Sequence, residues 1–254
     1  MSKKELFKQM LEQAKAQSFY AGTGNPESKI LLIGKEVAID DHEGKGKVQH
    51  EREFINNISN WEKDIYKNPN EIQNWNGLNY TPLYPYKGQI LKIDNKKEGI
   101  NNNRGTNRTW YNYQKLCNLI FKKENNQIID FHEHFFITEL NATPSLKTAT
   151  ADKKTVSSRL EFIKSSTFFQ SFPVVIIAGL GYLEISEYKN EVEELFGVKF
   201  LEKRSAGGVI TQPYWVHYSE DRKKILINTR QLSMTVSDKL LSEISSVIHE
   251  SGLV

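Results

Sequence analysis

The chain has 254 residues, 38% of them hydrophobic and 26% charged, with 34 lysines and arginines against 31 acids for a net charge of +3. Thirteen phenylalanines, eleven tyrosines and four tryptophans supply ample core at that small net charge, which excludes disorder as the main state. The longest apolar stretch, Pro173 to Leu180, is far short of the roughly 20 residues a spanning helix needs, and one cysteine, Cys117, excludes an internal disulfide, an iron–sulfur cluster and a cysteine-rich zinc site.

The first residues carry charges where a signal peptide needs its apolar region, so a cytoplasmic location is expected. Lys4 to Ser18 is predicted to be an amphipathic helix with Phe7, Met10, Leu11 and Ala14 on one face, ended by the turn formers of residues 21–28. Four short, wholly apolar runs follow along the chain: Ile30 to Ile33, Phe135 to Ile137, Val174 to Ala178 and Ile225 to Ile227. Continuous rather than alternating apolar runs fit strands buried on both faces of a mainly parallel sheet. Helices are predicted between them, at Glu51 to Trp61, Thr109 to Phe121, Thr155 to Phe169, Glu187 to Phe196 and Val236 to His249. The alternation gives a layered α/β fold. No repeat or linker divides the chain, so residues 1–254 are taken as one domain, with a long loop or insertion at about 66–106 rich in Asn, Gly, Pro and Lys.

Ligands of open α/β sheets bind beyond the carboxyl ends of the strands, so the residues after each apolar run carry most of the functional information. They are Gly34 to Ala38, Glu139 to Pro144, Gly179 to Gly181 and Asn228 to Ser233. Glu36, Asn141, Asn228 and Arg230 are expected to converge on one crevice. Gly179-Leu180-Gly181 lacks the third glycine of a dinucleotide loop, Glu184 standing in its place, and reads as a tight strand exit. No phosphate-binding loop and no serine nucleophile elbow occur. His132 and His134, set at the start of a predicted strand, have no third partner for a metal, and Cys117 reads as a buried small hydrophobe. From Lys87 to Glu124 nine bases meet three acids amid Trp110, Tyr111 and Tyr113. That pattern suits a polyanion with stackable bases, or a solvated lysine-rich loop.

The strand-end motifs, in this order and spacing, resemble the uracil-DNA glycosylase superfamily. Gly34-Lys35-Glu36-Val37-Ala38 is similar to its water-activating loop, Leu140-Asn141 to its second strand end, and Asn228-Thr229-Arg230-Gln231-Leu232-Ser233 to its last motif. The resemblance covers about residues 29–250. It implies a three-layer α/β/α fold around a central, mainly parallel four-stranded sheet, and a monofunctional DNA glycosylase without metal or cofactor. Its partner would be DNA, with no membrane and no obligate protein partner.

Carried over residue by residue, the resemblance makes Glu36 the acid that positions water and offsets oxocarbenium charge, unless it caps a helix or sits in a salt bridge. Asn141 would read a flipped pyrimidine, its amide offering both donor and acceptor, or close an Asx-turn. Asn228 replaces the family histidine at the pyrimidine carbonyl and can donate without carrying charge. Ala38 replaces an aromatic wall and leaves room for a 5-substituent. Tyr84 or Tyr86 would stack on the base, and Leu232 would be the wedge behind it or a core residue. Lys35, Arg104, Arg108, Thr229, Arg230 and Ser233 would face DNA, Arg108 opening a helix whose N–H groups suit an anion. The function implied is excision of a 5-modified or bulky pyrimidine, in phage defence or base-excision repair. The alternative is a nucleic-acid-binding protein on the same fold that has lost catalysis.

Overall fold

The computed structural model describes residues 1–37, 45–90, 108–124, 128–145, 151–186, 188–207, 211–233 and 236–254. Helix α1 (Lys3–Gln17) starts at Ser2, whose hydroxyl accepts from the Glu5 amide while the Glu5 carboxylate takes the Ser2 amide, a reciprocal cap. It buries Phe7, Met10, Leu11 and Ala14, the face its spacing predicts. Strands β1 (Thr23–Gly24) and β2 (Ile30–Gly34) follow. Helix α2 (Lys45–His50) runs through a π-helical turn, Glu51–Ile55, to α3 (Asn57–Asp64). After a 3-10 turn at Pro69–Glu71 come α4 (Arg108–Ile120), α5 (Phe131–His134) and β3 (Phe135–Glu139). Helices α6 (Val156–Ser165) and α7 (Thr167–Gln170) lead to β4 (Val174–Ile177), and α8 (Glu191–Phe196) to β5 (Lys199–Ala206), β6 (Gln212–Tyr218), β7 (Ile225–Thr229) and α9 (Asp238–Ser251).

The strands form one seven-stranded mixed sheet in the order β1-β3-β2-β4-β7-β6-β5. Strand β2 pairs parallel with β3 and β4, and β4 with β7; β1–β3, β7–β6 and β6–β5 are antiparallel. The four-stranded, mainly parallel, glycosylase-like sheet expected above is therefore overturned, and the fold descriptor with it. The physical reason lies in what an apolar run can report. It marks a strand covered on both faces, and the missing strands are not. Strand β5 is largely exposed along Lys199–Arg204, β6 alternates buried and half-buried residues, and β1 has two residues.

The three-layer α/β/α arrangement is present, and alternate side chains of each central strand define its two cores. Leu31, Ile33, Phe136, Val175, Ile177 and Leu226 pack with α1, α6, α7 and α8. Ile30, Leu32, Ile137, Val174, Ile176 and Ile227 pack on the other side with Leu116, Cys117 and Ile120 of α4 and Leu240, Leu241, Ile244, Val247 and Ile248 of α9. Each such side chain contributes roughly 1.5–3 kcal/mol through burial.

Other expectations shift locally. The helix predicted over 155–169 breaks at Ser166, whose backbone is extended. The helix predicted from 187 begins at Glu191, capped by Asn190. His132 and His134 lie on α5 rather than a strand, so they do not share a face by alternation. Of the predicted long loop, residues 66–90 are described and 91–106 lie outside the described residues. Among the described residues no helix is long and apolar enough to cross a membrane.

Candidate active site

A cavity of 210 Å³ opens at the carboxyl ends of β2 and β3, beneath α4. Gly34 of β2 and Lys35, Glu36 and Val37 just after it line the cavity, with Ile137 and Glu139 of β3, and Tyr20, Tyr80, Trp110 and Tyr113 give it aromatic walls. The backbone here is held beyond the strand ends. Leu140 N–H donates to Gly34 O (3.0 Å), Asn141 N–H to Lys35 O (2.8 Å) and Ser145 N–H to Val37 O (3.0 Å), so the two exit loops stay in register past the sheet.

Two carboxyl groups face each other electrostatically across this register. Glu36 is 8% exposed and accepts a hydrogen bond from the Tyr182 hydroxyl on its Oε2. Glu139, the last residue of β3, lines the cavity with its Oε2 buried and without a partner. Burial, and then the charge of Glu36, push the Glu139 carboxyl up to about 8, against the pull of Arg159. Burial thus favours the proton-bearing form of Glu139, while its neighbour is a hydrogen-bond acceptor. Gly34 makes the approach possible, since a Cβ there would stand 2.2 Å from Glu139 Oε2. Arg159, fully buried on α6, fixes the strand end from behind: its Nη2 donates to Thr138 Oγ1 (2.6 Å) and its Nε to the Glu139 carbonyl (3.1 Å). Burial lowers that guanidinium to about 9.

The residues named from sequence separate into those at the cavity and those used elsewhere. Glu36 and Lys35 line it, and Arg230, next to the lining residue Gln231, is half-buried and lies within electrostatic reach of Lys35. Asn141 is buried and holds its own strand-end turn: Nδ2 donates to Asp152 O (2.9 Å), while Oδ1 accepts from Thr143 N–H (3.0 Å) and Thr155 Oγ1 (2.9 Å), and its side chain also meets Tyr182, the partner of Glu36. Asn228 sits within β7 between Ile177 and Trp215, 1% exposed, its Oδ1 without a partner and outside the cavity lining. Thr229 is wholly buried opposite Tyr214. Leu232 is 0% exposed and packs in the core beneath α4 and α9. The carbonyls of Leu232 and Ser233 both accept from the Asn112 amide, at 3.3 and 2.7 Å.

Tyr84 is a core residue whose hydroxyl donates to Ile129 O (2.9 Å). Tyr86, with φ 54°, donates its hydroxyl to Glu53 and packs against Trp75 and Trp110. Of the aromatics that do line the cavity, Tyr80 and Trp110 pack against the Tyr86 ring. Arg108 is exposed at the start of α4. Ala38 and Arg104 lie outside the described residues. Three bases of the 87–124 stretch are used internally: Lys87 donates to Pro69 O, Lys115 pairs with Asp238 and Lys123 with Asp130.

Glu139 and Tyr182 were not singled out from sequence. Glu139 stands two residues before Asn141 at the end of an apolar run, so the strand-end rule covers it; the resemblance drew attention to the amide instead. A second polar cluster lies away from the cavity. Cys117, Asp130 and His134 offer ligand atoms within 4.8 Å of one another. The Lys123 ammonium already contacts Asp130 (2.9 Å) and His134 (2.6 Å), and burial pushes the thiol up to about 12 and His134 down to about 4. Lysine there supplies the positive charge that a metal would bring.

No family model, curated protein or solved structure matches the chain. The functional reading rests on the chemistry of the cavity.

Proposed function

We propose that this protein hydrolyses the N-glycosidic bond of a pyrimidine nucleotide, with DNA as the polymer that presents it. The observation that carries the reading is the pair Glu36 and Glu139 at an aromatic-lined cavity, the first accepting from the Tyr182 hydroxyl and the second with its Oε2 buried and without a partner. The volume, below the roughly 300–1,000 Å³ of drug-sized sites, suits one planar ring. Such a ring would stack against walls formed by Tyr20, Tyr80, Trp110 and Tyr113, at about 1–3 kcal/mol per base.

The chemistry divides between the two acids. Glu36, oriented by Tyr182, would draw a proton from water as the water oxygen bonds to the anomeric carbon, and its charge would offset the cationic sugar. The electron pair of the breaking carbon–nitrogen bond goes to the base, and Glu139 would hand that base its proton. In this arrangement Glu139 supplies the donor that Asn228, within β7, does not bring to the cavity.

The test is release of free base and formation of alkali-labile abasic sites. Substrates are single- and double-stranded DNA carrying uracil, mismatched thymine, 5-hydroxymethylcytosine or its glucosylated form. Glu36→Gln is expected to lower the rate roughly 10²–10⁴-fold while DNA is still bound. Product from a bulky 5-modified base would extend the reading to the opened 5-position expected at Ala38, and product from uracil alone would remove that extension. DNA binding with no product from any substrate would leave a non-catalytic nucleic-acid-binding protein.

A further inference from the structure

The cavity has a further polar lining, built from a segment that the paired acids do not use. Gln49, near the end of α2, and Glu53, in the π-helical turn that follows, both line it. The turn is closed by the Asn56 N–H on Glu51 O (2.9 Å), and the Asn60 amide takes up the Arg52 carbonyl (3.0 Å), so the wider turn is held by its own bonds.

Three side chains donate to the Glu53 carboxylate. Its Oε1 accepts from Arg52 Nη2 (2.7 Å) and from the Tyr86 hydroxyl, and its Oε2 accepts from Gln49 Nε2 (3.1 Å). The Tyr86 hydroxyl itself accepts from Arg52 Nη2 (2.6 Å), and the guanidinium lies 5.0, 5.5 and 5.6 Å from the ring centres of Trp75, Tyr80 and Tyr86. Burial raises the Glu53 carboxyl above its ordinary range, and Arg52 and Gln49 pull against the rise. Facing donors on both oxygens, the group is bonded as a carboxylate.

Acceptor capacity is left over on one side of this arrangement. A carboxylate oxygen takes about two hydrogen bonds, so Oε1 is filled and Oε2 has room for one more. Gln49 turns its nitrogen to Oε2, which leaves its own Oε1, on the same amide carbon, with no donor among the described residues. Two neighbouring acceptors at a cavity match a group that carries two N–H donors. The exocyclic amine of a cytosine-type ring is such a group, and a carboxylate is a fitting acceptor for it. Uracil and thymine put a carbonyl oxygen at the same ring position, which would face both acceptors and leave each without a partner.

We propose that Gln49 and Glu53 read the exocyclic amine of the substrate base, so that the base is a 4-aminopyrimidine and not a 4-oxopyrimidine. The assignment rests on the N-glycoside reading and adds a choice that it leaves open, since the water and proton steps given to Glu36 and Glu139 are the same for either ring. A role for Glu53 confined to tying the π-helical turn to Tyr86 would leave selectivity between the two rings unchanged.

The experiment compares base release by the full chain from DNA carrying 5-hydroxymethylcytosine and 5-hydroxymethyluracil, alongside cytosine and uracil themselves. The members of each pair differ only in amine against carbonyl and in the ring proton that goes with it. The amine is expected to be favoured roughly fivefold to a hundredfold. Glu53→Gln, whose amide can turn a donor to a carbonyl, is expected to bring that ratio to one or reverse it. Gln49→Ala is expected to lower it severalfold while keeping the bonds among Arg52, Glu53 and Tyr86, so it carries the test where Glu53→Gln does not fold. A wild-type preference for the carbonyl, no preference, or an amine preference that Gln49→Ala leaves intact overturns the proposal. Binding of deoxycytidine and deoxyuridine 5′-monophosphates to Glu36→Gln, by calorimetry, separates base reading from the reaction. An amine preference in binding that Gln49→Ala removes, in a chain that releases no base, leaves the assignment standing and removes the glycosidase. Base release without amine preference does the reverse, and neither release nor a binding preference overturns both.

Discussion

Glu139 is a buried acid at the cavity whose hold on its proton folding strengthens. Folding moves its carboxyl from the ordinary glutamate range up to about 8, chiefly by burial. Between those values the folded chain holds one proton more than the unfolded chain, so stability falls as pH rises through that window, by on the order of 1 kcal/mol per unit. Below the ordinary glutamate range the two states are equally protonated and the slope vanishes; above about 8 both are ionised and it vanishes again. Glu139→Gln, which keeps the shape and cannot ionise, is expected to flatten this decline in urea-unfolding midpoints measured from pH 5 to 9. A wild-type decline that survives in Glu139→Gln would assign it to other groups. Gly34 belongs to the same account, because its missing Cβ is the space the Glu139 carboxyl occupies.

At the scale of elements, the segment after β7 separates two roles that sequence left open for Leu232. The Asn112 amide of α4 holds the Leu232 and Ser233 carbonyls, and the leucine side chain is enclosed by the core beneath α4 and α9. Leu232→Ala is therefore expected to cost roughly 2–5 kcal/mol of stability, read as a lowered unfolding midpoint. A wedge that enters DNA would instead leave stability unchanged and weaken only DNA-dependent steps. The four strands covered on both faces were legible because each begins with a continuous apolar run, residues 30–33, 135–137, 174–177 and 225–227. Strands β5 and β6 were not, because Lys199 and Lys203 of β5 face solvent and β6 alternates buried with half-buried residues, so neither carries a continuous apolar run. The same reasoning explains His132 and His134: two histidines one residue apart look like strand alternation, while the Phe131–His134 turn packs them as a helix.

Across the whole molecule, the strand-end rule leads to the cavity more directly than the motif spacing does. It pointed to the carboxyl ends of the sheet, where Gly34, Lys35, Glu36 and Glu139 do line one cavity. What it left out were the partners that other segments bring. Tyr182 comes from beyond β4, Tyr20 from the end of α1, and Trp110 and Tyr113 from α4, contacts set by tertiary packing rather than by local pattern. The motif resemblance weighted Asn141 and Asn228: Asn141 holds its own strand-end turn and also meets Tyr182, the partner of Glu36, while Asn228 lies in the interior of β7. The basic stretch from Lys87 to Glu124 reads differently in three dimensions as well, since Lys87, Lys115 and Lys123 are tied to the protein's own carbonyls and carboxylates. The ammonium groups that stand over the Tyr182 ring are those of Lys35 and Lys153, neither of them from that stretch.

The most direct measurement of the paired-acid account is the pH dependence of base release by the wild type, Glu36→Gln and Glu139→Gln on a common oligonucleotide. The account predicts wild-type turnover that falls as pH rises past about 8, where Glu139 gives up its proton. It also predicts loss of that limb in Glu139→Gln at a reduced rate, and near-complete loss of turnover at every pH in Glu36→Gln. Base release by Glu36→Gln at the wild-type rate, or wild-type and Glu139→Gln profiles that superimpose across pH 5 to 9, would contradict it.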